Sequence, residues 1–112
     1  PTLDTAENKK FVSGFKEKNG RSPSEFAVQG YDAGRSLIEA VKTGATDREA
    51  IAKALPTVSY TGPRGPMKID PKTNNVIQNI YVYETVEMNG ALTQKVLGTI
   101  ENVQDDVNGC KM

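Results

Sequence analysis

Tyr60-Thr61-Gly62-Pro63-Arg64-Gly65-Pro66-Met67-Lys68-Ile69-Asp70, then Pro71-Lys72-Thr73-Asn74-Asn75, then Val76-Ile77-Gln78-Asn79-Ile80-Tyr81-Val82-Tyr83: the fold is decided in this stretch. Glycine and proline crowd Gly62 to Pro66 and make a rigid turn. Met67-Lys68-Ile69-Asp70 alternates apolar and polar residues, as a half-buried strand does. Asp70 to Asn75 is turn chemistry. Val76 to Thr85 is rich in β-branched and aromatic residues and reads as a longer strand. Asn89-Gly90 then signals a tight hairpin, because a type I′ turn needs positive φ at both central residues. Leu92 to Ile100 is the returning strand, and the chain beyond Val103 is polar.

Upstream of this stretch the period is helical. Asp4-Thr5-Ala6-Glu7 has capping-box spacing with Asp4 as the cap. Phe11 and Phe15 follow four residues apart, with Val12 beside them, and Asn19-Gly20 closes the helix through residues that tolerate the left-handed conformation. Ser22-Pro23-Ser24 opens a second helix over about Glu25 to Lys42. Ala27, Tyr31, Gly34, Ile38 and Val41 are spaced 4, 3, 4 and 3 apart, which is one helical face, and Leu37 widens it. Gly30 and Gly34 each cost about 1 kcal/mol against alanine in a helix, so their spacing suggests tight packing against another backbone. Gly44 ends this helix. Thr46-Asp47-Arg48-Glu49 is a second capping box. Ala50, Ile51, Ala54 and Leu55 form the buried face of a third helix, which Pro56 stops.

The order is three helices over residues 1–58, three strands over 59–103 and a polar tail over 104–112. Helices grouped before strands lack the alternation of a complete βαβ fold. The expected class is α/β, or α+β taken by itself, with a three-stranded sheet that contains a hairpin. The apolar helix faces must pack on that sheet, on a second copy in a homo-oligomer, or on something outside the chain.

Composition narrows the function. The 112 residues fit one domain at most. Apolar residues make up 37% and Trp is absent, so the core is modest. Fourteen basic residues balance 14 acidic ones, which argues against nucleic acid, since its binders carry a basic patch or stripe. The longest apolar run falls far short of the roughly 20 residues that a membrane helix needs. Pro1-Thr2-Leu3-Asp4 has neither the basic nor the apolar region of a signal peptide, so either the mature chain starts here or this is an internal piece.

Histidine is absent, which removes the commonest general base and metal ligand. One cysteine, Cys110, cannot staple the chain to itself. It reads as an inert tail thiol or as half of a disulfide to a cysteine outside the chain. Gly62 and Gly65 flank Pro63-Arg64, but no Lys-Ser/Thr pair and no helix follows, so this is a turn and not a phosphate loop. Arg64 fits a structural salt bridge better than a carboxylate clamp. Glu101, Asp105 and Asp106 lack the spacing of a calcium loop. Glu84 and Glu87 point to opposite faces of a strand. No catalytic dyad, cofactor or metal is expected, and the chain does not read as an enzyme. Tyr31, after Phe26 and Gln29 at the start of the second helix, has the amphipathic ring that can line a ligand cleft, but its pattern alone favours a packed core tyrosine.

Several of these segments, in this order, resemble the periplasmic solute-binding proteins of ABC transporters, leucine/isoleucine/valine-binding type. They are Phe11 and Phe15 with Asn19-Gly20, Gly30-Tyr31-Asp32-Ala33, Thr46 to Leu55, Tyr60 to Asp70 and Asn74 to Val82. The resemblance covers nearly the whole chain and is strongest toward members that import amino acids or aromatic carboxylic acids. It implies a type I periplasmic-binding-protein fold, two lobes joined by three crossovers, of which residues 1–112 would be the C-terminal part. It implies a periplasmic location, a precursor with a signal peptide, a membrane permease as partner and an amino acid or aromatic acid as solute. By position Phe26 matches a residue that touches the solute, with Gln29 and Tyr31 as neighbours. A ligand-sensing domain of a regulator or receptor with the same fold, and a self-associating interaction module, are the competing readings.

Overall fold

The chain folds, in a computed structural model that describes residues 2–106, as helices first and strands after. The helices are α1 (Ala6–Asn19), α2 (Glu25–Lys42) and α3 (Arg48–Ala54), followed by a 3-10 turn over Leu55–Thr57. The strands are β1 (Ser59–Gly62), β2 (Gly65–Ile69), β3 (Val76–Met88) and β4 (Ala91–Val103). Cys110 lies outside the described residues.

Each α-helix starts where a side-chain oxygen takes up a backbone N–H that has no partner within the helix. Thr5 accepts from the Asn8 amide, Ser24 from Ala27 and Asp47 from Ala50. Two caps therefore sit one residue past the expected Asp4 and Thr46. Asp4 is drawn to the Lys9 ammonium instead, and at the third helix the carboxylate of Asp47 takes the amide. Gly20 closes α1 at φ 67°, with its N–H bonded to the Lys16 carbonyl. Pro56 ends the α-helical run and is carried in the 3-10 turn.

The sheet is an antiparallel meander in the order β1-β2-β3-β4, with one strand more than the sequence suggested. The added strand is β1, which the density of glycine and proline around it disguised as turn. Gly62 pairs with Gly65, so Pro63-Arg64 forms a two-residue hairpin loop. Proline presets φ at the first loop position, and Gly65 takes φ 95°. At the other hairpin Asn89 and Gly90 adopt φ 54° and 77°, as the type I′ reading requires.

β2 pairs with β3 only from Val76 to Gln78. From Ile80 onward β3 pairs with β4 alone, and the two run on as a ribbon bent at register shifts beside Gln78 and Val82. The ribbon makes the chain long. Its radius of gyration is 16.1 Å, where a compact domain of this length would have about 13 Å. Asp70 pins the ribbon's base. Its carboxylate accepts from the Lys72 amide at 2.9 Å, from Thr73 at 3.1 Å and from Gln104 beyond β4 at 2.8 Å. Those donors, the Lys72 amide foremost, hold its carboxyl below the usual aspartate range.

The core is small. Phe11, Ala40, Ala45, Val58, Met67 and Ile77 are buried in it, and Pro63 is fully buried beside the β1–β2 turn. α2 contributes to it from an unexpected side. The face read as buried is the open one: Tyr31 is 39% exposed, Ile38 55% and Val41 48%. The inward face carries Asp32 and Ala40. A virtual Cβ on Gly30 or Gly34 meets nothing within 4 Å, so the tight helix packing expected there is absent among the described residues. Periodicity identified a real stripe, but it cannot say whether the surface that covers the stripe belongs to the same 112 residues.

Candidate solute-contact site

α2 organises the candidate site. Ser24 caps it, and Phe26 projects from its first turn at 74% exposure. Gln29 is exposed one turn later. At about 100° of rotation per residue, Phe26 and Gln29 stand about 60° apart round the helix, and Tyr31 about 140° from Phe26. The helix therefore brings Phe26 and Gln29 to one side and sends Tyr31 to another. Tyr31 packs its ring on Phe11, centroids 4.9 Å apart, and Phe15 extends the cluster at 6.0 Å from Phe11. Tyr31 also borders a shallow groove with Gly30, Gly34, Arg35, Ile38 and Lys42.

Behind the exposed side lies a buried polar cluster. Arg64 Nε, from the β1–β2 loop, donates to Asp32 Oδ2 at 2.7 Å. The salt-bridge reading of Arg64 is the one the geometry bears out. Tyr60 donates its hydroxyl proton to the Asp32 carbonyl at 2.9 Å, which leaves Ser36 as the donor in the 3.2 Å contact between Ser36 and Tyr60. The Arg35 guanidinium lies over the Tyr60 ring, 5.7 Å from its centre. Burial pushes the Asp32 carboxyl up from its ordinary value, against the pull of Arg64. Burial likewise raises the Tyr60 hydroxyl.

Asp32 was legible only as part of a motif, not as a functional group. Its one signal is an acid one turn from Ser36 on a helix otherwise rich in apolar residues. Its partner is 32 residues away, beyond any local pattern. The cluster is a joint between α2 and the sheet. It offers no nucleophile beside a base. Among the described residues no group of three His, Cys, Asp or Glu could hold a metal ion, and no helix is long and apolar enough to cross a membrane.

Comparison with known proteins gives this architecture its family. The family model described as periplasmic binding protein matches residues 1–91. The chain belongs to the periplasmic binding protein family. A family relative from Brucella abortus, Leu/Ile/Val-binding protein homolog 6, is 32% identical over 108 aligned positions, which cover 91% of this chain and 27% of the relative. The solute-binding protein of an ABC transporter from Rhodopseudomonas palustris BisB5, solved with 3,4-dihydroxybenzoic acid, superposes with a TM-score of 0.85 at 34% identity. That match covers 91% of this chain and 29% of the other. A second R. palustris solute-binding protein, solved with benzoate, gives a TM-score of 0.80 at 36% identity over 99% of this chain and 31% of the other. The chain thus spans 27 to 31% of the length of these family members.

Proposed function

We propose that this chain is the C-terminal part of a two-lobed, periplasmic solute-binding component of an ABC importer. The solute is an aromatic or branched-chain carboxylic acid or an amino acid, the classes named for the similar proteins above. One observation carries the reading: the apolar face of α2 points outward while its polar side points in. A self-contained domain would bury Ile38 and Val41 and expose Asp32. The reversal is what remains when a helix is seen without the part of the protein that covers it. The same outward face gives separate copies of this chain a surface through which to pair.

In the two-lobed protein a solute held by both lobes binds the closed arrangement better than the open one. Solute therefore shifts the population toward closure, and the closed form is what a membrane permease selects. The exposed ring of Phe26 is the contact this chain supplies, with Gln29 beside it. Tyr31 stands apart and contributes through its packing on Phe11.

The covering of α2 can be tested directly in the longer polypeptide that carries this chain. With Cys110 and any further native cysteine replaced by serine, an Ile38→Cys thiol should react with maleimide roughly a hundredfold more slowly in the folded protein than in urea, because packing closes access to it. Equal rates would mean that Ile38 stays open and that nothing covers α2.

A further inference from the structure

A cleft of about 370 Å³ separates the first turns of α2 from β3. Ser24, Glu25 and Val28 line it on one side, Asn79 and Tyr81 on the other, with Arg64 between. α2 packs on β1 and on the 3-10 turn before it, and this gap keeps its first turns off β3. A polar path spans the gap. Asp32 on α2 accepts from Arg64 Nε at 2.7 Å, and the Arg64 backbone carbonyl accepts from the Tyr81 hydroxyl on β3. We propose that Asp32, Arg64 and Tyr81 form a strut across the cleft that fixes the angle between α2 and the β3–β4 ribbon. They are positioning residues for the solute contact at Phe26, a role that rests on the transport reading; the strut itself is a property of this chain.

Two details favour a positioning role over a purely stabilising one. Asp32 Oδ1 is buried and has no partner, so the pair is one-pronged where arginine and carboxylate usually gain most by pairing at two points. A pair retained for stability alone would satisfy both oxygens. Gly65 is also fitted to the strut. A Cβ there would stand 2.9 Å from the Tyr81 hydroxyl, so the residue beside the loop leaves room for the β3 end of the path.

The test uses the proposed two-lobed protein, with Cys110 and any further native cysteine replaced by serine and spin labels at Ala33→Cys on α2 and Glu87→Cys near the ribbon tip. Pulsed dipolar spectroscopy then reads the distance distribution between them. The strut requires one narrow distribution in the parent. Tyr81→Phe, which removes only the hydroxyl, should raise the population of competing orientations roughly fivefold, the shift given by one lost hydrogen bond of about 1 kcal/mol. Arg64→Lys should do the same while keeping the charge. Ser13→Ala, which cuts an exposed hydrogen bond within α1, should leave the distribution unchanged. A broad parent distribution, an unchanged one in Tyr81→Phe, or equal broadening in Ser13→Ala would each overturn the strut. No solute is present, so failure here leaves the transport reading standing, and absence of solute binding leaves the strut standing.

Discussion

Replacing Arg64 with methionine should destabilise the fold by about 3 kcal/mol at pH 7, the low end for removing one partner of a buried ion pair. Asp32 is the reason: its side chain is 3% exposed, whereas that of Arg64 is 23% exposed. Without Arg64 the carboxylate keeps neither its charge partner nor a donor to Oδ2, and Oδ1 has none already. Access of water through the Arg64 position keeps the loss at the low end. Against the 5 to 15 kcal/mol of a typical domain, such a loss is a large fraction.

The loss should depend on pH in a definite direction. The folded pKa of Asp32 lies above its ordinary 3.8, chiefly through burial. A raised pKa means that the folded state binds more protons, so stability is greatest below 3.8 and falls as pH rises through the folded value. Arg64→Met removes the one influence that opposes the rise, so its cost should be smallest near pH 4 and grow toward pH 7. Urea unfolding across that range reads it. Asp32→Asn added to Arg64→Met should recover stability at pH 7, since no charge is then left buried. A flat penalty below about 1 kcal/mol, the value of an exposed pair, would contradict the burial of Asp32.

Gly65→Ala should cost about 2 to 4 kcal/mol, which joins backbone strain of about 1 to 3 to the loss of a hydrogen bond worth about 1. Its φ of 95° disfavours any side chain, and the new Cβ would sit 2.9 Å from the Tyr81 hydroxyl. Gly90→Ala is the comparison. Its φ is 77° and a Cβ there meets nothing within 4 Å, so it carries the backbone cost alone. Denaturant midpoints should rank Gly65→Ala well below Gly90→Ala. In a Tyr81→Phe background the gap should shrink, because the crowding oxygen is gone and the two changes share one contact. Equal costs at the two glycines would show that Tyr81 does not press on the loop.

Much of this fold is written locally, and the parts that are not share one cause. The bounds of α2 follow from Ser24 and from the apolar spacing up to Val41, and the ribbon turn follows from Asn89-Gly90, since each depends on neighbours in sequence. The caps at Thr5 and Asp47 lie one residue past the expected ones because two adjacent cap-type residues offer two starts, each with its own amide three residues on. β1 was missed because four residues that end in Gly62 show too little alternation to separate strand from turn. The facing of α2 and the Asp32–Arg64 pair were out of reach because they depend on what lies opposite in space. Phe26 was singled out by resemblance alone, and its exposure on the first turn of α2 is what the structure adds.

The central claim is that this chain serves a solute-binding protein, and calorimetric titration of the proposed two-lobed protein tests this most directly. The probes are benzoate, 4-hydroxybenzoate, 3,4-dihydroxybenzoate, leucine and phenylalanine. The account expects saturable one-to-one binding of at least one of them, weakened roughly tenfold by Phe26→Ala as an aromatic contact is lost. A folded polypeptide that gives no binding heat and no thermal shift with any of the five would contradict it.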